Sequence, residues 1–159
     1  MDGDTVTVRP VSAADLPAVL ALEHDGFVPR QRWSEASWRT ELVAADRVVL
    51  VAETAAGVVG VITWQVVADV ADLLRLAVSP AVRGRGVGRA LLMAGRGPVA
   101  ARGADRLMLE VGRANAAAIA LYTRCGFRTL DTRRDYYGPG DDALVMGAPA
   151  LPAPEGHRP

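Results

Sequence analysis

Two stretches of this 159-residue chain carry residue types that could do chemistry. The first is a loop, Arg83-Gly84-Arg85-Gly86-Val87-Gly88-Arg89. Glycine has no Cβ, so a glycine-rich backbone can come close to a ligand. The Arg89-Ala-Leu-Leu that follows has helical character, so the loop opens a helix. The first N–H groups of a helix lack intrahelical partners and sit at the positive end of its dipole. That makes an anion site, and phosphate is the usual anion. Three arginines in and beside the turn favour a pyrophosphate further. A Walker loop is excluded, because it needs a lysine after its last glycine and this chain contains no lysine. A dinucleotide fingerprint fits poorly: Gly84 and Gly86 match, but Arg89 stands at the third glycine position. The spacing that does fit is Arg-x-x-Gly-x-Gly, on Arg83, Gly86 and Gly88. An ordinary Gly/Arg turn with solvated charges is the alternative.

The second stretch is LEVGRANAAAIALYTRCGF, from Leu109 to Phe127, which holds Glu110, Asn115 and Tyr122. Alternation over Leu107–Val111 predicts a strand with Met108 and Glu110 on one face and Leu107, Leu109 and Val111 on the other. Asn115 is an N-cap candidate for a helix over Ala116–Arg124, closed by Gly126. Tyr122 lies seven residues after Asn115, about two helical turns on and on the same face.

The elements that must position these groups follow from pattern. Leu73–Val78 is an apolar run of strand length, stopped by Ser79-Pro80. Thr5–Arg9 alternates as a first strand ending at Pro10. Ser12–Asp15 starts a helix that continues to about His24. Gly26–Arg32 is a loop, and Ser34 caps a second helix with Trp38, Leu42 and Val43 on one face. Arg47–Glu53 and Val58–Val67 are strands joined by a hairpin-like turn at Ala55-Ala56-Gly57, and Asp69–Asp72 bends the chain into the next strand. After the phosphate loop, Gly95, Gly97 and Pro98 interrupt the helix. A proline inside a helix costs about 3 kcal/mol and clashes with the carbonyl four residues back, here Ala94. A kink or break near Gly95–Pro98 is expected, with Val99–Arg102 resuming and Gly103 closing. Phe127–Thr132 and Ala143–Met146 form a closing pair of strands.

Composition bounds the answer. Half of the residues are apolar, and 18 arginines balance 18 acids. One domain is expected over residues 1–148, with a proline-rich, disordered tail at 149–159. A balanced chain without a basic run argues against nucleic acid and against a polybasic membrane surface. One cysteine, Cys125, cannot form an intramolecular disulfide, which points to a reducing compartment. The chain start lacks an apolar signal core, and the longest uncharged apolar stretch is too short for a bilayer. A soluble cytoplasmic protein is expected. His24 and His157 show no ligand pattern, so no metal is predicted.

The Arg-x-x-Gly-x-Gly loop resembles the acetyl-CoA pyrophosphate loop of the GCN5-related N-acetyltransferases, the GNAT superfamily. Together with Glu110, Asn115, Tyr122, Gly126-Phe127, Arg133-Arg134-Asp135-Tyr136-Tyr137 and Asp142–Met146, the second half is similar to the ribosomal-protein alanine N-acetyltransferases, the RimI-like branch. The first part is looser, mainly Trp33-Ser34-Glu35. The resemblance implies an α/β GNAT fold, with a mixed, mostly antiparallel sheet flanked by helices. It implies acetyl-CoA as cofactor and a protein N-terminal amine, that of a ribosomal protein, as acceptor. Cofactor contacts are implied for Leu76, Ala77, Val78, Arg83, Gly84, Arg85, Gly86, Val87, Gly88, Arg89 and Asn115. Backbone N–H groups of Leu76, Ala77 and Val78 would steady an oxyanion. Tyr122 is implied as general acid, or it is a core aromatic. Glu110 would serve as base toward the amine, directly or through water, or is a solvated or arginine-paired glutamate. Trp33, Arg134, Tyr136 and Tyr137 would bind the acceptor, unless they are plain surface residues. Two departures stand out: Gly112 stands where the pattern has an arginine, and the helix after the phosphate loop is interrupted at Gly95–Pro98; an extra turn's worth of residues around Val28–Arg32, a loop that would border the acceptor, also differs. The rival readings are transfer to a small amine or a lysine, and a non-catalytic acyl-CoA-binding module.

Overall fold

The computed structural model describes residues 5–151. Its strands are β1 (Thr7–Pro10), β2 (Arg47–Thr54), β3 (Gly57–Val67), β4 (Val70–Val78), β5 (Arg106–Gly112), β6 (Arg128–Arg133) and β7 (Ala143–Pro149). The helices are α1 (Leu16–Gly26), α2 (Glu35–Val43), α3 (Val87–Ala101) and α4 (Ala116–Arg124). The seven strands are ordered β1-β2-β3-β4-β5-β7-β6, mostly antiparallel, with β4 and β5 parallel. This is the mixed α/β architecture that the resemblance implied.

The chain falls into two compact units. One runs to Gln65 and takes in Leu73–Gly95; the other comprises Val66–Asp72 and the chain from Arg96 onward. The core of the first unit gathers Leu16, Val19 and Leu22 of α1, Trp38 of α2, and Val49, Val51, Val61 and Ala77 of three strands. Helix α1 follows a short 3₁₀ turn, where the Ser12 N–H donates to the Asp15 carboxylate at 2.7 Å. Ser34 caps α2 as expected, its side chain accepting from the Ser37 N–H at 3.0 Å. Val43 does not join the buried face of α2. It is 83 % exposed, because it lies in the last turn, beyond the stripe set by Trp38.

The expected break in α3 is absent: the helix runs from Val87 to Ala101 with Pro98 inside it. Two packing facts account for this. Pro98 and Gly97 are on the exposed face, so the hydrogen bond that Pro98 cannot make is lost where water can replace it. Leu91, Leu92 and Val99 are buried on the other face and hold the helix on both sides of the proline. Gly95 has a separate reason. A Cβ there would lie 2.6 Å from Nε1 of the fully buried Trp64. The glycine is a seat for an indole, not a breaker. Gly103, at φ +101°, follows the helix as a left-handed residue should.

In the second unit, β4 and β5 pair through Val70↔Arg106, Ala71↔Leu107 and Asp72↔Met108. The bend before β4 is tighter than expected: the turn is Ala68-Asp69, with Ala68 at φ +52°. Strand β5 pairs along its length with β7, placing Glu110 opposite Val145 and Gly112 opposite Ala143. Leu107, Leu109 and Val111 are buried, whereas Glu110 is exposed, as the alternation required. Strand β7 continues through Pro149, and Ala150 is buried with its N–H on Asp105 O at 2.9 Å, so the ordered chain enters the segment expected to be tail. The rest of that tail, residues 152–159 with His157, lies outside the described residues.

Candidate active site

The first unit carries the phosphate loop. Ser79 roots it, its N–H donating to Val59 O at 2.8 Å after β4 ends. A 3₁₀ turn at Pro80–Val82 leads into it. Gly84 and Gly86 have φ of +78° and +83°, values that side chains other than glycine's rarely tolerate. A Cβ placed on either would meet nothing within 4 Å, so the loop is open on that side. The Ala90 N–H donates to Gly86 O at 3.0 Å and begins the helical ladder. The N–H groups of Val87, Gly88 and Arg89 therefore have no intrahelical acceptor. Arg83 and Arg89 are exposed beside them, and Val87 is buried. An open cradle of N–H donors flanked by guanidinium groups fits a diphosphate. Gly60 of β3 lets this helix end sit close to the sheet: a Cβ there would stand 2.9 Å from Leu91 Cδ1 and 3.1 Å from Val87 Cγ1.

Of the residues expected beside the loop, Ala77 is buried against α1 and α2, and Leu76 and Val78 are partly buried. Trp33 is partly buried too. Its N–H donates to Glu23 at 3.0 Å, and its ring lies 5.0 Å from that of Trp38.

The second unit gathers the candidate acid–base groups. The Glu110 carboxylate is 3.4 Å from Arg133 Nη1, so the arginine-paired state foreseen for it is the one observed. The Arg133 guanidinium also lies over the Tyr136 ring, 5.6 Å from its centre. A hydrogen bond to Glu110, and the charge of that carboxylate, hold the Tyr136 phenol above its ordinary range. Burial raises Tyr137 first, with Glu110 adding to it. Tyr136 and Tyr137 meet edge to face, 5.0 Å between centres. Burial also pushes the Tyr122 phenol up to about 12, with Tyr137 and Cys125 as lesser causes. Tyr122 packs on Phe127 at 5.9 Å. Glu110, Tyr122, Tyr136 and Tyr137 thus form one electrostatic neighbourhood. Asp72 on β4 belongs to it: burial, then Glu110, raises its carboxyl. Nothing in the sequence singled out Asp72, because its partner lies on a different strand.

Asn115 caps α4, its side chain accepting from the Ala118 N–H at 3.2 Å. Arg134 is exposed. A Cβ on Gly112 would have Tyr137 Cε2 as its nearest neighbour, at 3.9 Å, so a larger residue is not barred there by contact. The next residue, Arg113, reaches to 3.8 Å from Asp142.

The family model of the acetyltransferase (GNAT) family matches residues 16–127. The [ribosomal protein bS18]-alanine N-acetyltransferase of Salmonella typhimurium is 36 % identical over 155 residues, covering 90 % of this chain and 97 % of that protein. The N-alpha-acetyltransferase RimI of Mycobacterium tuberculosis is 31 % identical over 160 residues, covering 91 % and 93 %. The crystal structure of the ribosomal-protein-S18-alanine N-acetyltransferase from Escherichia coli superimposes with a TM-score of 0.81 at 32 % identity, covering 97 % and 99 %. An anion cradle at a helix start, a carboxylate hydrogen-bonded by a phenol and these likenesses agree: the chain belongs to the GNAT family and is an acetyl-CoA-dependent N-acetyltransferase.

Proposed function

We propose that the enzyme acetylates the α-amine of a protein N-terminus, of the ribosomal-protein alanine type, by direct attack within a ternary complex. The observation that carries this is the grouping of Glu110 with Tyr136, Tyr137 and Tyr122 in one unit. The acceptor class is supported by the relatives, whose names specify a ribosomal-protein alanine.

Acetyl-CoA supplies the acetyl group as a thioester. The N–H groups of Val87, Gly88 and Arg89, with Gly84, Gly86 and the Arg83, Arg85 and Arg89 side chains, hold its diphosphate. Asn115 contacts the cofactor while capping α4. Backbone N–H groups of Leu76, Ala77 and Val78 stabilise the negative charge that builds on the carbonyl oxygen during attack. An α-amine has a pKa of about 8, so a useful fraction is neutral at pH 7. Glu110, directly or through one water, takes the proton that this amine must shed as its nitrogen forms the new bond. Trp33 in the first unit, and Arg134, Tyr136 and Tyr137 in the second, are the residues assigned to acceptor binding.

Tyr122 keeps its proton at neutral pH and donates it toward the departing sulfur. Complete transfer from a phenol at about 12 to a thiolate of ordinary basicity, near 8.5, would be uphill by about 5 kcal/mol. The burial that raises the phenol raises the proton affinity of a sulfur beside it as well, which narrows that gap. Tyr122 acts first as a hydrogen-bond donor and as an acid only late in bond breaking.

The test is a screen of wild-type enzyme with acetyl-CoA over N-terminal peptides, lysine peptides and polyamines. N-terminal peptides beginning with alanine should give the highest kcat/KM. A clear preference for a polyamine or a lysine side chain overturns the proposal.

A further inference from the structure

Arg96 is a buried cation in the second unit, and among the described residues no carboxylate pairs with it. It stands on the inner side of α3, three residues before the buried Val99, and is 7 % exposed. Its guanidinium donates instead to two main-chain oxygens. Nη1 donates to Pro149 O at 3.2 Å, at the end of β7, and Nη2 donates to Cys125 O, at the end of α4. Nε donates to no other group of the protein.

The oxygen of Cys125 has a particular place. The last carbonyls of a helix lack intrahelical donors and form the negative end of its dipole, so a cation there answers both. Cys125 is the C-terminal cap of α4. Its N–H donates to Leu121 O at 3.1 Å and to Tyr122 O at 3.0 Å. The Phe127 N–H donates to the same Tyr122 O, also at 3.0 Å, and the Tyr122 ring packs on Phe127. Gly126 lies between them at φ +92°, and a Cβ on it would have Arg96 Nη2 as its nearest neighbour, at 3.5 Å. The peptide gripped by Arg96 is thus one hydrogen bond from the peptide of Tyr122, and it leads to the residue on which the phenol ring rests.

Burying a charge without a counter-charge carries a desolvation cost that neutral carbonyls offset only in part. What an apolar side chain could not do in its place is hold two oxygens of separate elements from one planar fork. We infer that Arg96 is a positioning residue for Tyr122: by clamping the end of α4 to the end of β7, it sets where the phenol stands and how its O–H is aimed at the departing sulfur. This rests on the proposed reading, in which Tyr122 donates its proton toward that sulfur. Arg96 acts through the helix alone.

The experiment uses full-length enzyme, acetyl-CoA and whichever amine the wild type acetylates best. Arg96→Met keeps the length of the side chain and removes the fork. It is compared with wild type, with Tyr122→Phe and with the double variant, for kcat, both KM values and coenzyme A affinity by titration calorimetry. Arg96→Met should lower kcat about tenfold, with both KM values and coenzyme A affinity within about twofold. In the Tyr122→Phe background the same substitution should change kcat by no more than about twofold, because residues that act as a unit are not additive. Hydrogen exchange of the Cys125 and Phe127 amides should quicken about tenfold or more in Arg96→Met. Retained coenzyme A binding certifies the fold. If Arg96→Met fails to fold, Arg96→Lys, which keeps the cation without the fork and should lose about threefold in kcat, is read by the same criteria. Unchanged kcat in a variant that binds coenzyme A overturns the inference. So does a loss that recurs in full in the Tyr122→Phe background, since the arginine would then act on something other than Tyr122. Normal turnover in Tyr122→Phe alone is a separate failure: it removes Tyr122 as the acid, and this inference with it, whatever Arg96→Met does.

Discussion

Replacing Gly95 by alanine sets helix propensity against packing, and the two have opposite signs. Glycine in a helix interior costs about 1 kcal/mol relative to alanine, so propensity alone predicts a stabler protein. The geometry predicts the reverse. The new Cβ would lie 2.6 Å from Trp64 Nε1, 3.3 Å from Cε2 and 3.4 Å from Cδ1. Ordinary contact begins at 3.4 Å, so the first distance is short by 3.4 − 2.6 = 0.8 Å. The indole is rigid and fully buried, and cannot swing away as a flexible chain end could. Overpacking of this kind costs typically about 1–3 kcal/mol, and a 0.8 Å overlap with a ring belongs at the upper end. After the propensity gain, a net loss of about 2 kcal/mol is expected, a fall in Tm of roughly 4–8 °C for a chain of this size. Gly97 is the control, two residues on in the same helix, where a Cβ would meet nothing within 4 Å. Gly97→Ala should raise stability by about 1 kcal/mol or less. Both variants are measured by calorimetry and urea unfolding, alone and with Trp64→Phe. In the Trp64→Phe background the penalty at Gly95 should shrink by about 1 kcal/mol or more, within the coupling expected of touching residues, about 0.5–3 kcal/mol. A Gly95→Ala protein at least as stable as wild type, or one that tracks Gly97→Ala, would refute the reasoning.

Other expectations follow from the site. Tyr122→Phe and Glu110→Gln should each lower kcat by about 10²-fold or more while coenzyme A affinity holds; unchanged turnover removes that residue from the chemistry. Arg83→Gln should raise KM for acetyl-CoA about tenfold with little change in kcat, as steady-state kinetics would read. Gly60→Ala should weaken coenzyme A binding in calorimetry, because the Val87 and Leu91 side chains that would meet the new Cβ are buried at the start of α3. Asp15, hydrogen-bonded to Arg9, has its carboxyl pulled down to about 2 from 3.8. A lowered folded-state value means that its contribution is complete above about pH 4 and fades as pH falls toward about 2. Discounted for the partly exposed Arg9, this is about 1–2 kcal/mol. Asp15→Asn should flatten the urea-unfolding stability over that window.

Local chemistry makes much of this protein legible in its sequence. The phosphate loop could be read because each of its parts is a short-range property: glycines at positive φ, arginines within a few residues, a helix starting on the spot. Glu110 could be placed by the period of a strand, and Asn115 as a cap by its position before an alanine-rich run. The family resemblance rested on the same contiguous segments. Where the sequence misled, a long-range contact overrode a local rule. Gly95 and Pro98 read as helix breakers because propensity counts only neighbours in the chain. The buried faces of Leu91, Leu92 and Val99 keep the helix whole, and Trp64, thirty-one residues earlier, explains the glycine. Val43 read as buried because the face of a helix says nothing about where its last turn runs out of core.

The sequence by itself determined the kind of chemistry: which side chains can bind an anion, take a proton or give one, and where along the chain they fall. Only the tertiary structure decided what stands beside each of them. It set Arg133 and Tyr136 against Glu110, buried Tyr122 until its phenol rose to about 12, and joined Glu23 to Arg75 across fifty-two residues. The reason is physical. Backbone preference and residue type act over a few bonds, whereas proton affinity and loop position depend on charge and water exclusion through space, and those exist only once distant segments have packed together.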